Sequence, residues 1–325
     1  MKTIRWGIIG CGNVTEVKSG PGFQKAQGSQ LVAVMRRNAD LAKDYAQRHG
    51  VPKWYADADA LIHDPEVDAV YIATPPSSHR EYALAVARAG KPVYVEKPMA
   101  LNAVECQEMV AACRAAGTPL FVAYYRRALP RFLKAKELVT SGAIGELRFV
   151  DVLLTQPLEV YPPDQLPWRL RPEIAGGGLF MDLASHTLDF LDFVLGPVSR
   201  ARGFARNQAG AYRAEDIVSA AFEFESGVQA VGTWCFSSFE TADRLTFVGS
   251  GGKVRLSMFS SEPVRFETPG GVEVFDVPNP PHVQQPLIQQ VVNELLGLGS
   301  CVSTGESASR TSWVMDQILR ERTSG

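Results

Sequence analysis

Ile4-Arg5-Trp6-Gly7-Ile8-Ile9-Gly10-Cys11-Gly12-Asn13-Val14-Thr15 is a short apolar run that ends on two spaced glycines and passes directly into helix-forming residues. An apolar run of this length with no polar alternation predicts a strand buried on both faces, as in a parallel sheet covered by helices. The G-x-G spacing that follows predicts a tight turn at Gly10. At Gly12 it lets the backbone approach a pyrophosphate resting on the helix N-terminus. Gly10, Gly12, Asn13 and Val14 are therefore candidate cofactor-binding residues. The third position of this fingerprint is Thr15 rather than glycine or alanine, so helix and strand are expected to pack slightly less closely there. Gly20-Pro21-Gly22 interrupts the helix soon afterwards and leaves Lys18 and Ser19 near a bend, read as an exposed helix end.

Outward from this unit the same rhythm continues. Apolar runs at 31–35, 69–73, 93–95 and 120–123 alternate with segments of helical spacing at 40–49, 56–63, 78–89 and 103–116. Gly50, Gly90 and Gly117 punctuate the joints as helix stops. Strands separated by helices predict an α/β fold with a doubly wound parallel sheet. Beyond residue 123 the period changes. After a helix at 130–141, two-residue alternation appears at 147–154 and 219–225. A Ser226-Gly227 turn and a partner strand at 228–236 follow, with further runs at 244–248, 253–258, 264–268 and 272–277. This half reads as an α+β domain with a large, mostly antiparallel sheet, one face on helices and the other open to a partner. The expected domains are 1–123, binding the dinucleotide, and 124–325, binding the substrate.

Two domains also suit a chain of 325 residues. Apolar residues at 46% and charged residues at 21% are ordinary for a globular protein and exclude an extensively disordered one. A formal net charge of -2 gives no global attraction for nucleic acid or an anionic membrane, so neither is expected as a partner. Five cysteines with no C-x-x-C pair fit a reducing compartment, and the N-terminus lacks a secretory leader pattern. A cytoplasmic protein is expected.

An NAD-binding fingerprint places an acid at the end of the second strand, for the ribose 2′-hydroxyl. Arg36 and Arg37 stand there instead. A guanidinium binds a 2′-phosphate bidentately, so NADP(H) is expected to be preferred, with NAD(H) possible. Two solvated loop arginines are the plainer alternative.

The chemistry candidates lie in two places. Gly176-Gly177-Gly178 opens an apolar helical segment on which Asp182, Ser185, His186 and Asp189 fall within one stripe at α-helical spacing. Short acids and a histidine on a buried helix need partners, and Asp182 and His186 at i and i+4 suit general acid–base work. A hydrogen-bonded core histidine, or a pair of metal ligands, are the alternatives; no further ligand is spaced to complete a metal shell, and no metal is expected. Glu96-Lys97-Pro98 follows the strand at 93–95, at a C-terminal strand end where ligands of open α/β sheets gather. Lys97 is there a candidate for polarising a substrate oxygen, or a salt-bridged strand-end lysine.

Gly10-x-Gly12, Thr74-Pro75-Pro76-Ser77-Ser78-His79, Glu96-Lys97-Pro98 and Gly176-Gly177-Gly178 with Asp182-x-x-x-His186 together resemble the glucose-fructose oxidoreductase / inositol dehydrogenase / rhizopine catabolism (Gfo/Idh/MocA) family. The resemblance spans nearly the whole chain. It implies a Rossmann domain followed by a domain whose open sheet mediates oligomerisation, here a homodimer or homotetramer. It further implies that Lys97, Asp182 and His186 are catalytic, with His186 the proton acceptor, and that Thr74, Pro75, His79, Glu96 and Lys97 border the cofactor, with a cis Lys97–Pro98 peptide. The expected activity is hydride transfer between nicotinamide C4 and a carbinol or carbonyl carbon of a sugar, cyclitol or similar polyol. Tyr124, Arg126, Trp168 and Arg169 are candidate substrate residues, with Tyr124 and its neighbour Tyr125 equally readable as packing. Two other readings stay open, an NAD-dependent glycoside hydrolase and a non-catalytic nucleotide-binding regulator.

Overall fold

The computed structural model describes residues 2–321. The chain forms two compact units. One runs through Leu129 and also takes up Pro280–Ser309; the other comprises Pro130–Asn279 and the chain from Arg310 onward. The sequence boundary at residue 123 thus falls six residues early, and the 280–309 segment belongs with the first unit. Amphipathic spacing shows that a helix has an apolar face but not which core receives it.

In the first unit β1 (Ile4–Ile9), β2 (Ser29–Met35), β3 (Lys53–Tyr55), β4 (Ala69–Ile72), β5 (Val93–Val95) and β6 (Leu120–Val122) form one parallel sheet in the order β3-β2-β1-β4-β5-β6. The order reverses direction at β1, so the turn after β1 lies at the topological switch point, where open α/β sheets bind ligands. β3 was not anticipated: three residues, Lys53-Trp54-Tyr55, carry too little pattern to read as a strand. β1 and β4 are almost wholly buried, which explains their unbroken apolar sequence. Trp6, Phe23, Tyr71 and Tyr94 form an aromatic cluster, with Tyr71 stacked on Tyr94 at 5.0 Å between centroids. The returning helix Gln285–Leu295 inserts Leu287, Ile288, Val291 and Val292 into this unit, all fully buried. Just beyond it Ser303 exchanges hydrogen bonds with Val122 on β6.

In the second unit eight strands form one sheet: β7 (Leu147–Thr155), β8 (Val198–Arg206), β9 (Ile217–Phe224), β10 (Gln229–Cys235), β11 (Ala242–Gly249), β12 (Lys253–Leu256), β13 (Val264–Thr268) and β14 (Gly271–Phe275). Their order is β14-β13-β12-β11-β7-β10-β9-β8. All pairs are antiparallel except β7 with β10. The β9–β10 hairpin forms at the Ser226-Gly227 turn, with Gly227 at a φ of 85°. β8 carries little apolar signal because its covered face holds only Ala201, Gly203 and Ala205, while its large apolar side chain, Phe204, lies on the exposed face with the arginines. The register sets Phe204, Ser219, Thr233 and Leu153 in one cross-strand row and Arg202, Ala221, Val231 and Asp151 in the next, on a single face. Phe204 is 76% exposed on it.

Candidate active site

At the switch point Gly10 adopts a φ of 91°, a left-handed conformation that glycine takes without penalty. A β-carbon there would lie 2.7 Å from the Thr74 methyl group. One at Gly12 would meet nothing closer than 3.8 Å, so the backbone stays open to a close ligand. Thr15 does not loosen the loop. Its side chain is wholly buried, and its hydroxyl donates to the Gly12 carbonyl at 2.8 Å while accepting the Gly12 N–H at 3.0 Å. The Tyr45 hydroxyl donates to the Thr15 carbonyl at 2.9 Å, and burial pushes Tyr45 up to about 12. Ser19 is also wholly buried, and its hydroxyl donates to the Val14 carbonyl at 3.4 Å. Burial raises the Cys11 thiol to about 11, so it stays protonated within the loop. Arg36, exposed at the end of β2, directs Nη1 to the Cys11 carbonyl at 3.5 Å, and Arg37 beside it is exposed. This loop fits a dinucleotide: an open Gly12, the turn before Asn13 and Val14 at a helix start, and two guanidinium groups at the neighbouring strand end.

The turns after β4 and β5 are tied together. His79 is wholly buried, its Nε2 2.7 Å from the Thr74 carbonyl and its Nδ1 3.1 Å from the Pro98 carbonyl. Burial lowers its pKa, which favours the neutral ring. The histidine expected at the cofactor is therefore enclosed between the two turns, where a neutral ring donates to one of these two carbonyls. Thr74 accepts from the Ser78 hydroxyl at 2.8 Å, and Pro75 leads into the short helix Pro76–Ser78. Lys97 follows β5, and its peptide bond to Pro98 is cis. Glu96 is buried, with its carboxylate turned onto the unit's own donors. Tyr124 is wholly buried in the first unit's core, and Arg126 is nearly buried, its guanidinium 5.1 Å from the Tyr125 ring.

In the second unit the stripe expected on one α-helix is built differently. Phe180–Ala184 is a π-helical turn, and regular α-helix runs only over Ser185–Leu195. π-turns are rare and recur at functional sites. The wider turn separates Asp182 from the α-helical register of Ser185, His186 and Asp189. All three of these are at most 3% exposed. Asp182 receives Arg169 Nε at 3.0 Å, and the Arg169 guanidinium stacks 4.4 Å over the Trp168 ring. Trp168, Arg169 and Asp182 thus form one chain of contacts.

Sequence reading overlooked the residues that aim this helix. Glu215, buried, accepts the Gly178 N–H at 2.8 Å, and a β-carbon on Gly178 would stand 2.8 Å from both the Ala214 side chain and the Glu215 carbonyl. Gly178 is therefore a close-approach requirement, while Gly176 takes a φ of 85°. The adjacent acids Glu215-Asp216 before an alternating strand were the available signal. Phe259 sets its ring edge-on to His186 at 6.1 Å between centroids. Its loop is held from one side by Asp243, whose carboxylate accepts the N–H groups of Met258, Phe259 and Ser260, and from the other by Arg131, which donates to the carbonyls of Ser257, Ser260 and Glu262. No sequence pattern marked these residues. Among the described residues no group of three or more His, Cys, Asp or Glu side chains is placed to hold a metal ion.

Residues 4–124 match the model of an oxidoreductase family with an NAD-binding Rossmann fold, and 132–255 match the Gfo/Idh/MocA C-terminal domain. The chain belongs to the Gfo/Idh/MocA family. It is thus an NAD(P)-dependent oxidoreductase, as the motif resemblance implied. It is 42% identical to Oxidoreductase P35 of Formosa agariphila over 96% of this chain and 97% of that one. It is 34% identical to the 1,5-anhydro-D-fructose reductase of Ensifer adhaerens, over 70% of this chain and 67% of the other. Among solved structures, the aldose-aldose oxidoreductase from Caulobacter crescentus, complexed with glycerol, matches with a TM-score of 0.87 at 28% identity, covering 98% and 97% of the two chains. No helix among the described residues is long and apolar enough to cross a membrane.

Proposed function

We propose that this protein is an NADP(H)-preferring dehydrogenase or reductase of a sugar, cyclitol or related polyol. The observation that carries this reading is a buried histidine, His186, on a helix that opens with a π-turn bearing Asp182, in a chain that also places Lys97 at a switch-sheet strand end. The relative that reduces an anhydro sugar by name, and the glycerol-bound aldose enzyme, support a polyhydroxylated substrate.

The nicotinamide, when bound, supplies a carbon that accepts or returns a hydride. In the oxidative direction the carbinol carbon loses a hydrogen with two electrons and the hydroxyl loses its proton, leaving a carbonyl. His186 takes that proton. Asp182, held by Arg169, supplies a fixed negative charge that favours the resulting imidazolium. Lys97 donates a hydrogen bond to the reacting oxygen, and Trp168 offers an aromatic face to sugar C–H groups. Gly12, Asn13 and Val14 hold the pyrophosphate, and Arg36 and Arg37 hold the 2′-phosphate. The test is Lys97→Met: nicotinamide reduction with a polyol panel should cease while NADPH binding, read by fluorescence, persists. Wild-type turnover in that variant refutes the scheme.

We also propose that two copies associate through the open face of the eight-stranded sheet, where Phe149, Phe204 and Val231 are exposed. Sedimentation should show Phe204→Arg as a smaller species than the wild type; an unchanged profile rejects this face.

A further inference from the structure

We infer that Tyr71 and Gln284 are positioning residues for Lys97, acting through the carboxylate of Glu96; this rests on the reading of Lys97 as the group that meets the substrate oxygen. Glu96 is the residue directly after β5, and its own N–H still bonds the Ile72 carbonyl at 2.9 Å, continuing the ladder. Its side chain turns back into the unit. Oε2 accepts the Lys97 backbone N–H at 3.1 Å, while Oε1 accepts the Tyr71 hydroxyl at 2.5 Å and the Gln284 amide at 2.6 Å.

A carboxylate offers about four lone-pair sites, and three are filled here by donors from different parts of the chain. Each donor is fixed. Tyr71 is fully buried on β4, between Tyr94 and Phe23. Burial, followed by the neighbouring Glu96 charge, pushes its pKa well above the ordinary value, so it remains a hydroxyl donor at every physiological pH. Gln284 is fully buried at the start of the helix Gln285–Leu295, 188 residues downstream of Glu96. Glu96 is thus committed to the unit's own frame, and its carboxylate serves as the anchor of the Lys97 turn beside its place at the cofactor border that the family resemblance implies. Removing a donor from Oε1 frees the carboxylate to rotate, and the Lys97 N–H loses its acceptor with it.

The experiment compares Tyr71→Phe, which deletes one hydroxyl, and Gln284→Met, which keeps length and loses the amide, with Lys97→Met alongside. Three quantities are read: NADPH dissociation constant by fluorescence, kcat with a polyol substrate, and the pH profile of kcat. Each anchor variant should lower kcat about tenfold and displace the profile, with NADPH affinity within about twofold of wild type. Unchanged kcat and profile in both anchor variants, beside an inactive Lys97→Met, overturns the positioning role alone. NADPH affinity falling in step with kcat also overturns it, because Glu96 then acts on the cofactor. An active Lys97→Met removes the underlying reading and this inference together.

Discussion

Replacing Asp243 by asparagine tests whether the loop beside His186 is held as rigidly as its hydrogen bonds imply. Asp243 Oδ2 accepts the Phe259 N–H at 2.6 Å, the Ser260 N–H at 3.2 Å and the Ser257 hydroxyl; Oδ1 accepts the Met258 N–H at 2.9 Å. An amide has only one acceptor oxygen. Its least costly orientation keeps the oxygen at the Oδ2 position and points the NH2 group at the Met258 N–H, donor against donor. Met258 is 3% exposed, so water does not replace the lost acceptor. A buried donor left unmade costs about 1–3 kcal/mol, and converting the remaining charge-assisted bonds to neutral ones adds about 1 kcal/mol. Asp243→Asn should therefore destabilise the second unit by about 2–4 kcal/mol. Ser257→Ala, which removes the 2.9 Å acceptor of the Ser260 N–H but leaves that N–H its bond to Asp243 Oδ2 at 3.2 Å and the Met258 and Phe259 N–H groups theirs, should cost about 1 kcal/mol. Differential scanning calorimetry suits the measurement, since two units can melt as separate transitions. With Phe259 no longer pinned against His186, kcat should fall as well. A loss of stability below about 0.5 kcal/mol for Asp243→Asn, within the range of ordinary surface changes, would refute the argument that this carboxylate holds the loop.

Two further outcomes are expected. Arg36→Ala with Arg37→Ala should weaken NADPH binding by roughly 10- to 100-fold and leave NADH binding within about twofold, as titration by fluorescence would read; equal losses for both cofactors would remove the 2′-phosphate role. Asp64 is buried. Burial alone would raise its pKa, but the Glu66 N–H, the Lys53 ammonium and the Tyr55 hydroxyl outweigh it and lower the carboxyl from 3.8 to about 2. Because the folded value is the lower one, the stabilisation is complete above pH 3.8 and vanishes as the pH falls through about 2. Asp64→Asn should thus cost about 2 kcal/mol at pH 7, with the gap to wild type closing in acid denaturation between those limits.

The fold was readable because each half advertises its own period. Buried parallel strands such as Ile4–Ile9 need no polar residue, and half-covered strands such as Ile217–Phe224 alternate. Lys53–Tyr55 and Val198–Arg206 were hidden, the first by its brevity and the second by a covered face made only of Ala201, Gly203 and Ala205. At the site, residue types legible at short spacing were placed on the elements expected of them: Gly10, Lys97 and His186. What spacing does not encode is who holds whom. The bond from Gly178 to Glu215 spans 37 residues, and that from Gln284 to Glu96 spans 188. The roles of His79 and Thr15 changed for the same reason. Each was read as facing a ligand or disturbing a turn, and each is a buried tie whose partners are backbone carbonyls and amides. The π-turn at Phe180–Ala184 left no mark in the sequence, and Gly178 just before it is held by Glu215 from 37 residues downstream.

The return of Pro280–Ser309 to the first unit has a consequence during synthesis. A ribosome adds residues from the N-terminus at about 5–20 per second, and N-terminal domains ordinarily close first. Here β1–β6 emerge early but wait for Gln284, Ile288 and Ser303, which leave the exit tunnel only after the entire eight-stranded sheet has been made. For many seconds the nascent Rossmann sheet carries an uncovered apolar surface and a Glu96 carboxylate lacking one donor. Nascent-chain release at residue 279 should yield a chain whose first unit is a chaperone client, and supplying 280–309 in trans as a peptide should restore that unit's protease resistance.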